Sequence, residues 1–333
     1  MLNFSSFIGL DVGNKNIKVV KIRKYKDKVK VKNFWSIPYP SAKINFSKEE
    51  KREILARSFE PLKEFLKSGK IIIGIPSDKV LFRNLSFPRM RYSELKEAAF
   101  WETRELVAQL DGDYVLDFEI MKENKNTYEV LVAAVLKDHV MDYLDPMKRI
   151  GLLPEAVDIY PLAISRVFKY LFSECSFVVV DIGALKTEII LFEHGKIFLT
   201  STFSFGSEYM TRLIAGTFSV DESEAELIKI NPGACREKIA ECLYPLIRQL
   251  VLQVARCLKY YLQKKGQGVK AIVLTGGGSK LFCLKEVFSR EIKVEVFTAQ
   301  ELDFPKIEIE EKIRGEFDKM EFLSALGFAM RGV

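Results

Sequence analysis

A stretch that occurs twice constrains this chain more than any other feature. Phe7 to Ile22, FIGLDVGNKNIKVVKI, recurs as Phe177 to Phe192, FVVVDIGALKTEIILF. Each copy begins with an apolar run, meets an Asp-Val/Ile-Gly turn and continues in residues that read as a second strand. At an offset of 170 residues, Asp11 answers Asp181 and Gly13 answers Gly183. Later, Asp27-Lys28-Val29 and Gly195-Lys196-Ile197 close a second turn after each copy. Such a repeat predicts two similar halves facing one another. A glycine in a tight turn lets backbone N–H groups come close to an anion, and a carboxylate at a strand end can hold a cation's water shell. Two such hairpins, opposed, would clamp a metal-bound polyphosphate. One D-x-G alone is an ordinary turn; the aligned pair carries the reading.

Length and charge limit what surrounds the clamp. With 333 residues, 48% hydrophobic and 29% charged, the chain has material for two core-bearing domains and the make-up of a folded soluble protein. Fifty-one basic against 45 acidic residues leave +6, too mild and too scattered for a committed nucleic-acid binder. The densest basic run, Lys15 to Lys32, alternates in part with Val19, Ile22, Val29 and Val31, which suits strands with one solvated face. No apolar run approaches the roughly 18 residues of a bilayer span, and the start MLNFSSFIGLDVG lacks a basic leader, so a cytoplasmic location is expected. Five cysteines without a C-x-x-C pair predict reduced thiols. His139 and His194 have no partner at ligand spacing and are assigned no chemistry.

In chain order, Phe7 to Asp11, Ile17 to Ile22 and Val29 to Ile37 read as three antiparallel strands. A helix follows from the capping box Ser47/Glu50, with Pro61 expected to kink or split it, and ends at Gly69. Lys70 to Ile75 is a short buried strand. From Val80 to Val157 the order becomes βαββαβ: a strand to Phe87, a helix over Ser93 to Ala108, strands over Tyr114 to Lys122 and Thr127 to Leu136, a helix over Asp138 to Ile150 and a strand over Pro154 to Ile159. That order predicts an inserted split-βαβ, ferredoxin-like unit, with Phe100, Trp101, Leu106, Met141, Leu144, Met147 and Ile150 packing its helices on its sheet. A helix over Leu162 to Leu171 leads into the second half.

The second half restarts at Ser176 with the repeated hairpin and turns at Phe205-Gly206 into a helix over Ser207 to Phe218. Asp221-Glu222-Ser223-Glu224 is a helix start. Glu226 and Lys229 then share one helical face, as a surface ion pair or as a joint grip on a polar ligand. A long helix spans Glu237 to Gln263, with apolar residues at helical spacing. The strand Lys270 to Leu274 runs into Thr275-Gly276-Gly277-Gly278-Ser279-Lys280. Three consecutive glycines cost much backbone entropy, which close approach of a flat ligand would explain; the spacing excludes a Walker-type phosphate loop. A helix over Leu284 to Ser289, a strand over Lys293 to Phe297 and a helix over Glu321 to Met330 complete the chain.

The segments GLDVGNKNIK, VVVDIGALKT, AELIK and LTGGGSK, in this order, resemble the two phosphate loops, ribose-contact helix and adenosine loop of the actin-like ATPase superfamily. The stretches IPSDKVLFRNLSFP, ELKEAAFWETRELV, EVLVAAVLKDHVMDYLDPMKRIGLLPEAVDIYP and EFLSALGFAMRG are similar to the PilM family of type IV pilus assembly proteins, whose inserted subdomain 1C is shared with FtsA. The resemblance implies an α/β fold of the duplicated actin-like, ribonuclease H-like kind, two lobes around a nucleotide cleft. The implied division is lobe one at residues 1–79, the 1C-type insert at 80–157 and a return to lobe one at 158–173. Lobe two then spans 174–206 and 237–318 around a small 2B-type subdomain at 207–236, and a C-terminal helix at 319–333 returns to lobe one.

It further implies ATP or ADP with Mg²⁺ between the lobes. Asp11 and Asp181 would orient the hydrated metal. Gly13, Asn14, Lys15, Asn16 and Lys18 would meet phosphate on one side, and Gly183, Ala184 and Thr187 on the other. Glu226 and Lys229 would reach ribose and adenine, and Gly276, Gly277, Gly278 and Ser279 would let the adenosine lie against backbone. Two departures qualify this. Relatives read Ser-Thr-Thr after Asp-Ile-Gly-Ala, where this chain has Leu185-Lys186-Thr187, so that Lys186 would supply phosphate affinity in place of hydroxyls. Relatives carry Glu before Pro161, where this chain has Tyr160, and a phenol of pKa about 10 is a poor base at neutral pH. ATP binding with weak or absent hydrolysis is therefore expected.

The implied partner is the N-terminal cytoplasmic segment of PilN, beside other inner-membrane pilus components, with membrane association through that partner and self-association left open. Alternatives of the same superfamily are an FtsA-like division protein, a GspL-like secretion component and a small-molecule kinase.

Overall fold

A computed structural model describes residues 6–39, 46–108, 111–172 and 174–333. The first half opens with a meander, β1 (Ser6–Val12), β2 (Asn16–Tyr25) and β3 (Lys28–Pro38). Helix α1 (Lys48–Phe59) begins at Ser47, whose hydroxyl accepts from the Glu50 N–H while the Glu50 carboxylate accepts from the Ser47 N–H. Pro61 splits the helix: a 3-10 turn over Glu60–Leu62 separates α1 from the single turn α2 (Lys63–Leu66). Proline removes one helical donor and crowds the preceding turn, and the break falls at that point. Strand β4 (Lys70–Ile75) follows, parallel to β1.

The insert contributes β5 (Val80–Pro88), α3 (Tyr92–Val107), β6 (Tyr114–Glu123) and β7 (Thr127–Leu136), then α4 (Lys137–Arg149), β8 (Ala156–Ile159) and α5 (Tyr160–Phe168). The βαββαβ order holds along the chain, but the ferredoxin-like pairing does not. The inserted sheet has three strands in the order β5-β7-β6, all antiparallel, and β8 instead pairs with β4 in the main sheet. Helix α4 also turns to the first half. Its Met147 is fully buried in one cluster with Leu55 and Phe59 of α1, and Arg52 of α1 bonds Asp142 at 2.8 Å and Asp145 at 3.1 Å. The physical reason is demand for cover: β4 is buried almost throughout, so its free edge requires a strand, and β8 supplies one. Trp101, expected in the core, is 67% exposed on α3, whereas Leu95 and Ala99 of that helix are buried against β7. The side chain of Leu106 lies outside the described residues.

The second half repeats the first. After the hairpin β9 (Phe177–Ile182) and β10 (Thr187–Glu193) come β11 (Lys196–Phe203), α6 (Ser207–Phe218), α7 (Glu222–Ile230), α8 (Arg236–Lys265), β12 (Ala271–Thr275), α9 (Leu284–Glu291) and β13 (Glu295–Thr298). Its sheet order β11-β10-β9-β12-β13 matches β3-β2-β1-β4-β8, with the same antiparallel and parallel pairings. One strand has no sequence precedent: β14 (Ile307–Ile309) crosses back to pair with β3, and Lys28–Glu308 and Lys32–Glu310 ion pairs flank it. The last helix, α10 (Lys319–Ala329), lies with α5 between the two sheets, in a core that draws Ile22, Ile72, Val179 and Val273 from both.

Contact along α10 is so close that glycine is required at several points. A Cβ at Gly9 of β1 would sit 1.9 Å from the Ala325 carbonyl oxygen, and one at Gly327 would sit 2.3 Å from that of Ala163 on α5. Gly74 of β4 leaves room for the Phe328 ring. Because backbone cannot yield as a flexible side chain does, Gly9→Ala is expected to cost about 1–3 kcal/mol through overpacking. Thermal unfolding monitored by circular dichroism should show a fall of about 2–4 °C per kcal/mol. An unchanged melting temperature would contradict the close seat of α10 on β1.

Candidate nucleotide site

The repeated hairpins meet at one cleft of about 1070 Å³. Asp11 and Gly13 of the first copy and Asp181 and Gly183 of the second all line it. The two corners are built alike. The Gly13 N–H donates to the Asn16 carbonyl at 3.0 Å, and the Gly183 N–H to that of Lys186 at 2.9 Å. A Cβ would approach those same oxygens to 2.8 Å at Gly13 and 3.0 Å at Gly183, which is tighter than ordinary contact. In β1 and β2, Asp11 stands across from Lys18; in β9 and β10, Asp181 stands across from Glu188. The repeat therefore maps Lys18 onto Glu188, and the duplicated pairs carry opposite charges at that place.

These four side chains form the polar floor of the cleft. Lys18 Nζ lies 3.3 Å from Asp11, whose carboxylate also accepts from Ser324 of α10 at 2.5 Å. Burial alone would depress the Lys18 ammonium, but Asp11, Asp181 and Glu321 outweigh it and hold the group above its ordinary range. Burial pushes Asp181 up against the opposing pull of Lys18 and a hydrogen bond from the Tyr160 hydroxyl. Tyr160, at the head of α5, is raised well above its usual value by burial and by the neighbouring Asp181 and Glu188. Glu188 is pushed up to about 8, chiefly by burial, while a 2.6 Å bond from Ser77 Oγ opposes the shift and Asp181 adds to it.

On the other side, α6 and α7 hold the predicted Glu226 and Lys229 as a network. Lys229 Nζ lies 2.7 Å from both Glu226 and Thr211, and Thr211 donates to Glu226 at 2.6 Å. Burial lowers Lys229, and Glu226 is lowered as its bonds to Lys229 and Thr211 overcome burial. Lys15 reaches across from the first hairpin to Glu226 at 3.3 Å and Glu208 at 3.4 Å. Both readings of the 226/229 pair thus meet here, an ion pair that also faces the cleft.

The glycine run divides by role. Gly276 adopts φ +84°, and a Cβ there would lie 2.0 Å from Asp181 Oδ1; one at Gly278 would lie 2.5 Å from Ile182. Those two positions make room for the end of β9. Gly277 has no atom within 4 Å of a Cβ position and lines the cleft, as Gly278 also does. Asn14, Asn16, Ala184 and Lys186 line it as well. Thr187 and Ser279 are buried, and their hydroxyls donate to the Phe205 and Gly276 carbonyls at 2.8 and 2.6 Å.

Glu188, Ser77, Asp78 and Ser324 were not singled out from the sequence. Only Glu188 carried a signal, the 170-residue offset from Lys18. Among the described residues no group of three or more His, Cys, Asp or Glu stands ready to hold a metal directly. The five cysteines are free thiols.

Comparison with known proteins places this arrangement. The family described as "Type IV pilus assembly protein PilM" matches residues 9–333. Among solved structures, the "PilM-PilN type IV pilus biogenesis complex" is similar at a TM-score of 0.83 and 24% identity, covering 98% of each chain. The ethanolamine utilization protein EutJ from Carboxydothermus hydrogenoformans is similar at a TM-score of 0.59 and 17% identity, covering 99% of this chain and 90% of that one. At these identities the structural likenesses speak for the fold, which is the actin-like ATPase fold in two lobes.

The shift at Glu188 fixes a pH dependence. A carboxyl that titrates at about 8 folded and near its ordinary value of about 4.3 unfolded makes the folded state bind more protons between those values. Stability therefore falls as pH rises through that window. Glu188→Gln should remove this loss, so that melting curves in chelator from pH 5 to 9 flatten relative to wild type. At pH 9 the variant should melt higher, by about 2–4 °C for each kcal/mol relieved. Parallel curves for the two proteins would rule Glu188 out as the titrating group.

Proposed function

The chain belongs to the PilM family of type IV pilus assembly proteins, and from that premise we propose that it is an ATP-binding docking component of the pilus machine with little or no hydrolysis. The observation that carries the nucleotide reading is the convergence of Asp11 and Asp181, from the two copies of one hairpin, on Lys18 in a single cleft. The residues present fit a nucleotide with its metal. Partly buried carboxylates at the floor suit a cation held through water, since none of the described clusters would ligate it directly. Gly13 and Gly183 present backbone at close range, and Gly277 faces open space in the cleft.

On this reading Asp11 and Asp181 orient the waters of Mg²⁺, which when bound with ATP neutralises phosphate charge. Lys18, Lys15 and Lys186 add positive charge around the phosphates. Glu226 and Lys229 take the ribose and adenine side, with Gly277 and Gly278 forming the opposite wall and Gly276 and Ser279 supporting it from behind. Weak turnover follows from the acids and bases available. Tyr160 sits far above neutrality and already donates to Asp181, so it does not accept a proton from water at pH 7. Glu188, at about 8, is mostly protonated there and is engaged by Ser77.

The partner proposed is the N-terminal segment of a PilN protein, since the similar solved complex joins PilM to PilN. Among the described residues no helix is long and apolar enough to cross a membrane, so the partner would supply the membrane tether.

Two measurements test the reading. Calorimetry with Mg-ATP should detect binding that Asp11→Asn weakens about 10- to 100-fold, as loss of a metal-orienting group does. Turnover should stay well below about 1 per second, and a rate above that would overturn the claim of weak hydrolysis. Separately, a synthetic peptide from the N-terminus of the neighbouring PilN should bind at about micromolar Kd, near −8 kcal/mol. Absence of binding at that concentration would remove PilN as the partner.

A further inference from the structure

Two contacts tie the second glycine corner to the turn from which the inserted sheet departs. Lys186, between β9 and β10, forms an ion pair with Asp78, and Glu188 of β10 accepts the 2.6 Å hydrogen bond from Ser77. Ser77 and Asp78 belong to the 3-10 turn Ser77–Lys79, which joins β4 of the main sheet to β5 of the insert. The turn is coupled forward as well as across. The Val80 N–H donates to the Ser77 carbonyl, and Val80 is buried and pairs with Val135 on the central strand of the inserted sheet.

The two contacts differ in strength. Ser77 is 6% exposed, so its bond to Glu188 is shielded. The side chains of Asp78 and Lys186 are 21% and 33% exposed, and an ion pair so open to water holds weakly and exchanges partners. Lys186 also lines the cleft, where a polyphosphate would offer it several negative charges in place of one carboxylate. Once released, Asp78 has a second ammonium at hand, Lys79 at 3.9 Å.

We propose that the turn Ser77–Lys79 is a latch between cleft and insert: a polyphosphate bound in the cleft draws Lys186 from Asp78, and the freed turn loosens the root of β5. Occupancy of the cleft thereby becomes a change at the inserted sheet. This rests on the ATP-binding reading above.

Hydrogen exchange read by mass spectrometry on the full chain tests it, with calorimetry recording binding separately. With magnesium and a non-hydrolysable ATP analogue at saturation, peptides spanning residues 76–88 should exchange roughly three- to tenfold faster than without ligand. Asp78→Asn, outside the proposed binding residues, should show that faster exchange without ligand, gain little more on adding it, and bind the analogue at least as tightly as wild type, since Lys186 no longer has to leave a carboxylate. Binding without a change over 76–88, or Asp78→Asn exchanging like the ligand-free wild type, overturns the latch. Failure of wild type to bind the analogue overturns both the latch and the reading beneath it, and calorimetry tells that case apart.

Discussion

The half-buried ammonium of Lys18 is the charge on which the cleft depends. Asp11 and Asp181 come from opposite halves, and Glu321 from the helix packed between them, so bringing the halves together concentrates negative charge in a place of low polarity. Carboxylates so placed repel one another and resist ionising unless a cation stands among them. Lys18 stands there, and it gains more from the three acids than it loses to burial. Removing it would leave the two corners apposed with no positive charge between them at the floor. On the proposed reading the arrangement joins stability to function, because the site that would draw a cation and a polyphosphate is also where the two halves meet.

Duplication supplies the frame and asymmetry supplies the chemistry. Five strands repeat in the same order and sense in the two sheets, and the glycine corners repeat to within 0.2 Å in the approach of a would-be Cβ. What differs is the residue across from the aspartate. Lys18 in one copy compensates its partner; Glu188 in the other is a second acid beside Asp181, and it shifts up to about 8 instead of sharing the negative charge at pH 7. A strictly symmetric pair of Asp-Lys corners would be neutral and would have less to offer a metal. A pair of Asp-Glu corners would gather four acids at the floor with no cation among them.

Local patterns made most of this legible. Apolar runs broken by Asp-Val/Ile-Gly turns marked the strands of the two hairpins, and Ser47 and Asp221 marked helix starts because capping uses residues close in sequence. Pairing between distant segments was not legible. The three residues of β14 are too few to show a period, and nothing within β8 tells that its partner is β4 rather than a strand of the insert. Trp101 looked like core because it is large and apolar, but its helix buries a different stripe, through Leu95 and Ala99. The triple glycine showed a demand for room without showing what fills it: the end of β9 takes the room at Gly276 and Gly278, and Gly277 leaves it open. Ser77 and Asp78 lie more than 100 residues from the side chains they meet, and no local signal marks them.

On the proposed reading the same asymmetry lets the cleft hold a nucleotide without consuming it. A base that activates water near pH 7 works best with a pKa near that value and a free lone pair. Tyr160 fails on both counts, since its proton is already committed to Asp181 and burial raises its pKa far from neutrality. Glu188 comes nearer in pKa but spends one oxygen on Ser77, the residue that roots the inserted sheet. Freeing Glu188 for chemistry would mean giving up a contact between the halves at that root. If the chain docks a partner as proposed, that contact serves it better than turnover would, because a docking component must keep its shape for as long as its partner stays bound.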